Sequence, residues 1–399
     1  MNPDVPAGKF ELAIHRALRT FLYVERRLEP FFRPALNYVF REPSARLLQA
    51  LINWRRADEG LQLAEERPLP GEEEALDSII ATMSEYSHRH YQPGGYLRTG
   101  NTKTHGIVRA EFVVREDVPE HMRKGVFAEP RTFRAWVRFS GPGPDTPPDI
   151  EDVGFVSCAI KLMGVDGPKL LDEKFTQDFV SVCTPTFVTP NVVANSALQK
   201  YILRDTPIFY FFAPGATHIL DFLMQSLWNE TQYNPLEARY WSCVPYLLGE
   251  GQAMMYSVRS RLTTRSRIPN VPFRPPDNYL RDNMVKTLAE RDIEMDFMVQ
   301  VQTDPHRMPI ENAAVRWPER LSPFVPVATL RIPKQKFDSD AQFAFAHNLS
   351  VNPWHCIAEH RPLGNQSRAR KRMYYEMSQL RQKMNKTPHV EPTGDEVFE

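Results

Sequence analysis

Arg370, Tyr374 and Arg381 are spaced so that an α-helix, at roughly 100° per residue, brings all three to within about 40° of one face. A tyrosine binds ferric iron only as the phenolate, and its ordinary pKa of about 10 makes that form scarce at neutral pH. A guanidinium one turn away carries a permanent charge that favours the phenolate. The second arginine, further along the same face, is placed to pair with a carboxylate beside the iron. Arg-x-x-x-Tyr pairs are common on surface helices, so this one gains meaning only with a second half-site. That half lies in Thr104-His105-Gly106-Ile107-Val108-Arg109-Ala110-Glu111-Phe112, where a histidine stands at the entry to an alternating strand. A neutral imidazole can take a proton from one atom and deliver it to the next, because its pKa sits near neutrality.

The elements that must hold these groups are short strands and one long helix. After the histidine strand come Ala135-Trp136-Val137-Arg138-Phe139-Ser140, then Ala159-Ile160-Lys161-Leu162-Met163-Gly164, then Gln177-Asp178-Phe179 through Thr184-Pro185-Thr186-Phe187. Val299 to Gln302 and Val325 to Ile332 are further strands. The order of these segments from His105 to Arg381 resembles the catalase superfamily. It is most similar to the compact catalase-related haem proteins, the group of the coral allene oxide synthase domain and small bacterial peroxidases. The resemblance implies an α+β fold, a catalase-like antiparallel β-barrel surrounded by helices. It spans about residues 100–335, with the haem-ligand helix at about 366–385, inside a haem domain 63–399.

The same resemblance implies a b-type haem with Tyr374 as proximal iron ligand and Arg370 as its charge partner. Arg138 and Arg381 would pair with the haem propionates. His105 would be the distal acid/base, hydrogen-bonded by Ser140 and restrained by the Thr104 hydroxyl. Three departures matter. Catalases carry an asparagine before the Thr-Pro pair, where this chain reads Val182-Cys183-Thr184-Pro185, and a valine before the distal histidine, where it has Thr104. Val153-Gly154-Phe155 also replaces an arginine-glycine pair common in relatives. The expected activity is therefore conversion of an organic or lipid hydroperoxide, by peroxidase-type turnover or by rearrangement as in a hydroperoxide lyase or isomerase. Weak catalase or peroxidase action in hydrogen peroxide detoxification, or haem binding without catalysis, are the alternatives.

Composition narrows the field. The 399 residues are 42% apolar, enough for a substantial core, and 49 basic side chains balance 49 acidic ones, which does not suggest a nucleic-acid partner. Cys158, Cys183, Cys243 and Cys356 are widely spaced and fit free thiols in a reducing, intracellular and cytoplasmic setting. No signal peptide is visible, and no apolar run reaches the about 18 residues that a membrane span requires. His88 with His90, and His355 with His360 near Cys356, lack further ligands at zinc-like spacing. The second pair is expected to lie in a loop clamping the start of the haem-ligand helix, while Tyr375, rotated from Tyr374 by about 100°, stays clear of the iron.

Residues 1–62 form an extension of their own character. Phe10, Ile14, Ala17, Leu18, Phe21 and Leu22 follow a helical period that Pro30 and Pro34 are expected to break, with a new helix from Pro34 and a third capped by Ser44. Ten basic residues stand against four acidic ones between Lys9 and Arg56, a net of +6. Such a segment either packs on the barrel with its arginines in solvent or lies on an anionic membrane surface or partner. An acidic linker from Glu65 to Asp77 follows. A helical stretch over residues 190–240, rich in Phe, Leu and Met, is expected to wall a pocket or fill core.

Overall fold

The computed structural model describes residues 4–212 and 217–398 of the chain. Eight strands, all paired antiparallel, close a barrel: β1 (Thr104–Val114), β2 (Thr132–Ser140), β3 (Ser157–Met163), β4 (Thr176–Val182), β5 (Arg239–Trp241), β7 (Ala253–Ser260), β8 (Ile293–Val301) and β9 (Val325–Ile332). β6 (Tyr246–Leu247) is an appendage on β7, and pairings of β1 with β9 and β5 with β7 complete the ring.

Along β1 the even residues Val108, Ala110, Phe112 and Val114 enter the barrel core, whereas Ile107 faces outward against α7 (Asp340–Asn348). An eight-stranded barrel has an interior just wide enough for side chains. Aromatic rings fill it: Phe297 lies 5.1 Å from Phe112 and 5.0 Å from Phe179, and Phe179 lies 5.2 Å from Tyr256. The barrel is a packed core, and any ligand chemistry belongs outside its wall, among the helices.

Sequence periodicity misses β5, β6 and β7. Six of the eight residues of β7 are buried in succession, which removes the alternation that marks a half-buried strand. Asn234 to Trp241, taken above as the end of a helical stretch, instead turns through a short 3₁₀ segment into β5. The helical part proper is α4 (Val192–Leu203) and α5 (Ile219–Ser226).

The N-terminal extension also differs from expectation. α1 runs unbroken from Lys9 to Leu36 through both prolines, passes through a π-helical turn at Asn37–Arg41, and continues as α2 (Glu42–Arg55). Pro30 cannot donate to the Arg26 carbonyl four residues back, and the Thr231 hydroxyl supplies that bond instead, at 2.7 Å. Ser44 caps nothing, because the chain reaches it already helical. The arginines are not all in solvent either: Arg26 and Glu29 are the buried residues of α1.

The acidic run is no simple linker. Glu72, Glu73 and Glu74 form the first turn of α3 (Glu72–His90), where carboxylates suit the positive end of the helix dipole. Glu66 and Glu72 each lie 2.7 Å from the guanidinium of Arg368, and Glu311 lies 3.0 Å away. Arg368 belongs to α8 (Asn365–Asn385), so the acids anchor the start of the helix that carries Tyr374. The Trp354 indole adds a bond of 2.7 Å to the Ser367 carbonyl.

Candidate functional site

α8 presents one face inward. Arg370 and Arg381 are 6% and 7% exposed, Tyr374 is half-buried against the apolar cluster of Ala75, Leu76, Ile79, Val192, Ala369 and Met373, and Tyr375 turns out to solvent. Burial pulls the Arg370 pKa down, yet the Tyr374 phenol, followed by Tyr246, Cys243 and Tyr256, outweighs it and holds the group above its usual range. Its Nη1 has no hydrogen-bond partner among the described residues, and the guanidinium carbon lies 5.1 Å over the Phe187 ring. Arg370 and Tyr374 thus stand one helical turn apart on α8, the arginine buried and the tyrosine half-buried.

His105 enters from β1 at a bulge. Thr104 pairs with Ser140 and Gly106 with Phe139, so His105 is the residue left without a cross-strand partner, and the kink re-aims its ring. A side chain on Gly106 would begin 2.4 Å from the Phe337 ring, which is why this close approach needs glycine. The imidazole is 1% exposed. Burial first, then the charges of Lys103, Arg281 and Arg138, hold its pKa well below the usual value, so it is neutral. Asp149, whose carboxylate holds the Lys103 ammonium at 2.6 Å, stands 3.8 Å from His105 Nδ1. That carboxylate favours the proton on Nδ1 and leaves Nε2, which has no partner among the described residues, as the free base.

Thr104 and Ser140 are both buried beside this ring, but no hydrogen bond joins either to His105 among the described residues. The Thr104 hydroxyl accepts instead from Arg138 at 2.6 Å, and its carbonyl accepts from Arg281 at 2.9 Å. Any restraint of Thr104 on the histidine runs through these cations. Cys183, one of the two residues before Thr184, accepts from the Val156 amide at 3.1 Å and packs with the barrel core. All four cysteines are buried and unpaired.

A third feature adds one residue, Arg98, to the two arginines expected from the sequence. Arg98 joins Arg138 and Arg381 in one cluster, and no acidic partner lies within ion-pair distance of any of the three among the described residues. Burial first, then Arg138 and Arg381, press the Arg98 pKa well down; burial and Arg381 lower Arg138; burial lowers Arg381. His347 beside them is pushed down to about 4 by burial and then by Arg98, Arg138 and Arg381. Arginine nevertheless stays charged, and unpaired buried charge is costly. The hydrogen bonds present go mainly to neutral oxygens: Arg98 to the Leu349 carbonyl, Arg138 to the Asn101 carbonyl at 2.8 Å and Thr104, Arg381 to Ser378 at 3.4 Å. The cluster is built for an anion. Three arginines without an acid, a tyrosine beside an arginine, and an orphaned imidazole nitrogen are a set of groups that would fit the two carboxylates and the iron of a haem. Arg98 escaped notice because it sits in a loop, seven residues ahead of His105, with no period to mark its direction.

His355 and His360 turn out to be clamps in the loop before α8. His360 Nε2 accepts from the Val126 amide at 3.0 Å. His355 lies 2.9 Å from both Asp178 and Asp172, and with Glu173 and Asp178 it makes a trio of potential metal ligands. The Lys161 ammonium already sits between the two acids, 2.7 Å from Asp178 and in contact with Glu173. The trio is an ion-pair network tying β3 and β4 to the loop.

This network makes stability depend on pH. Burial and the Lys161 charge push the His355 pKa down, but hydrogen bonds to Asp172 and Asp178 prevail and raise it from 6.5 to about 9. The protonated form therefore stabilises the fold fully below about 6.5, and that contribution is lost as pH rises through about 9. It amounts to about 3 kcal/mol at most, at 1.36 kcal/mol per unit. Thermal unfolding from pH 6 to 9.5 should show a steeper alkaline loss in the wild type than in His355→Gln. Parallel curves would remove His355 from this role.

No family model matches the sequence, and no curated protein matches it. Solved structures do resemble the fold. A bacterial catalase superposes with TM-score 0.56 at 16% identity, covering 86% of this chain and 70% of that one. A fungal catalase gives 0.54 at 13% identity, with 86% and 70% covered. Catalase A from Saccharomyces cerevisiae gives 0.56 at 13% identity, with 86% and 72% covered. With its closed antiparallel barrel, surrounding helices and N-terminal helical extension, this chain has the catalase fold.

Proposed function

We propose that the chain binds a b-type haem through Tyr374 and converts an organic hydroperoxide, best a fatty-acid hydroperoxide, by peroxidase-type turnover or by rearrangement. The observation that carries this reading is the coincidence of three unsatisfied groups in one fold: the neutral His105 with its free Nε2, the Arg370–Tyr374 pair, and the arginine cluster without an anion. A bound ferric haem supplies the redox centre at which a peroxide bond breaks. The residues of the chain do the rest. Arg98, Arg138 and Arg381 would hold the cofactor carboxylates, and Tyr374 would offer its oxygen to the iron one helical turn from the Arg370 charge. His105 Nε2 takes the proton from the first peroxide oxygen and returns it to the second.

The substrate class follows from Cys183 and Thr104. Without the amide at Cys183, nothing equivalent positions a molecule as small as hydrogen peroxide, whereas an alkyl hydroperoxide gains binding from its chain. Such substrates dissolve in membranes, and the proposal includes an intracellular protein in peripheral contact with one through residues 9–56. Oxygen evolution from hydrogen peroxide should be slow beside consumption of a long-chain hydroperoxide. Cys183→Asn with Thr104→Val should raise it. Vigorous oxygen evolution by the wild type would instead favour detoxifying catalase action, and a haem-loaded protein inert to every peroxide would favour a binding role alone.

A further inference from the structure

The helix α1 is amphipathic in the inverted sense. Its buried side chains are Arg26 and Glu29, while Phe10, Phe21, Val24, Leu28 and Phe31 are exposed, Phe10 by 75%. At roughly 100° per residue, the exposed apolar positions of α1, from Phe31 round to Leu22, cover an arc of about 180°. The face continues over the π-helical turn through Tyr38 and Phe40, then along α2 through Leu47 and Trp54, the last 81% exposed.

Polar contacts fix this orientation. Arg26 pairs with Glu29 at 3.0 Å and donates to Asn229, and Glu29 accepts from the Thr231 amide and hydroxyl, each at 2.7 Å. Arg33 donates to the Asn229 carbonyl at 3.2 Å, and Arg41 pairs with Glu230 at 2.6 Å. Gly154, with φ +76°, lies beneath the Arg26 guanidinium, and a Cβ there would begin 2.2 Å from it. Such an arrangement inverts the usual logic, in which the apolar stripe of a helix faces the body. A folded protein that spends its polar side chains on docking and leaves phenylalanines outside has another apolar medium for them.

We infer that the face formed by α1, the π-helical turn and α2 lies on the surface of an anionic lipid bilayer, apolar side inward. Among the charged residues between Lys9 and Arg56, the exposed ones are Lys9, Arg16, Arg19, Arg46 and Arg55 against Glu42 alone, a charge complementary to anionic headgroups. The arc is too broad for the narrow seam of a two-stranded coiled coil, and its aromatic residues suit the headgroup boundary. No helix among the described residues is long and apolar enough to cross a membrane, so the contact is with the surface. The inference names the partner for the proposed lipid chemistry and rests on that reading for its purpose, although the face exists whatever reaction the barrel supports.

Co-sedimentation of the full-length haem-loaded protein with vesicles tests it. Vesicles containing phosphatidylglycerol should bind the protein at low salt, with affinity falling about tenfold or more at high salt, while pure phosphatidylcholine vesicles bind far less. The variant Phe21→Glu/Leu28→Glu/Phe31→Glu, checked for helix content by circular dichroism, should lose the binding. No binding of the wild type to anionic vesicles at low salt overturns the inference. So does equal, salt-independent binding to neutral vesicles. A wild-type dimer by light scattering that the triple variant converts to monomer, without lipid binding, gives the face to a second copy instead. Turnover of detergent-dispersed hydroperoxide, measured on the same wild-type samples, separates failure of the surface proposal from failure of the catalytic one.

Discussion

Tyr374→Phe is expected to give a folded protein that has lost most of its haem. The side chain sits one turn from the buried guanidinium of Arg370. Phenylalanine keeps the packing against the apolar cluster that includes Ala369 and Met373 but removes the oxygen proposed to bind iron. Arg98, Arg138 and Arg381 would still attract the carboxylates, so weak residual binding with an altered spectrum is the expected remnant. Tyr375→Phe should change nothing, because that ring points to solvent. Haem content and an absorption spectrum decide between them. Full occupancy with an unchanged spectrum in Tyr374→Phe would remove the ligand assignment, and loss in Tyr375→Phe instead would move it by one residue.

His105→Ala should separate binding from catalysis. Haem content should hold, since the proposed ligand lies on α8, while hydroperoxide turnover falls by about 100-fold to 10,000-fold, the usual cost of losing general acid/base help. The burial and surrounding cations that keep the imidazole neutral also predict a flat rate profile from pH 6 to 8, with no protonation of His105 in that range. Wild-type rates in the alanine variant, with every peroxide tried, would show that another group moves the proton.

The parts of this arrangement that share one element were legible in the sequence. Arg370, Tyr374 and Arg381 lie on one helix, α8 (Asn365–Asn385), and a period of 3.6 places them on it. Strands β8 and β9 announced themselves as well, although the alternation of Val299 to Gln302 misleads about burial, since Gln300 and Gln302 are as buried as the valines. Groups that meet only through the closed barrel did not. Asp149 reaches His105 from a 3₁₀ turn, Arg98 comes from a loop, and Asp178 meets His355 across 177 positions of sequence. The course of α1 failed for a similar reason: a remote residue, Thr231, repairs the bond that Pro30 breaks. The polarity of that helix was visible as a pattern, but which side faced the body depended on Arg26 finding Gly154.

The most direct measurement is the absorption spectrum of the purified protein titrated with haem, followed by addition of a fatty-acid hydroperoxide. One haem per chain is expected, with the high-spin ferric spectrum of tyrosinate ligation, and the hydroperoxide should be consumed at a rate that exceeds oxygen release from hydrogen peroxide. A protein that takes up no haem, or takes it up with a spectrum that Tyr374→Phe leaves unchanged, would contradict the assignment of this site.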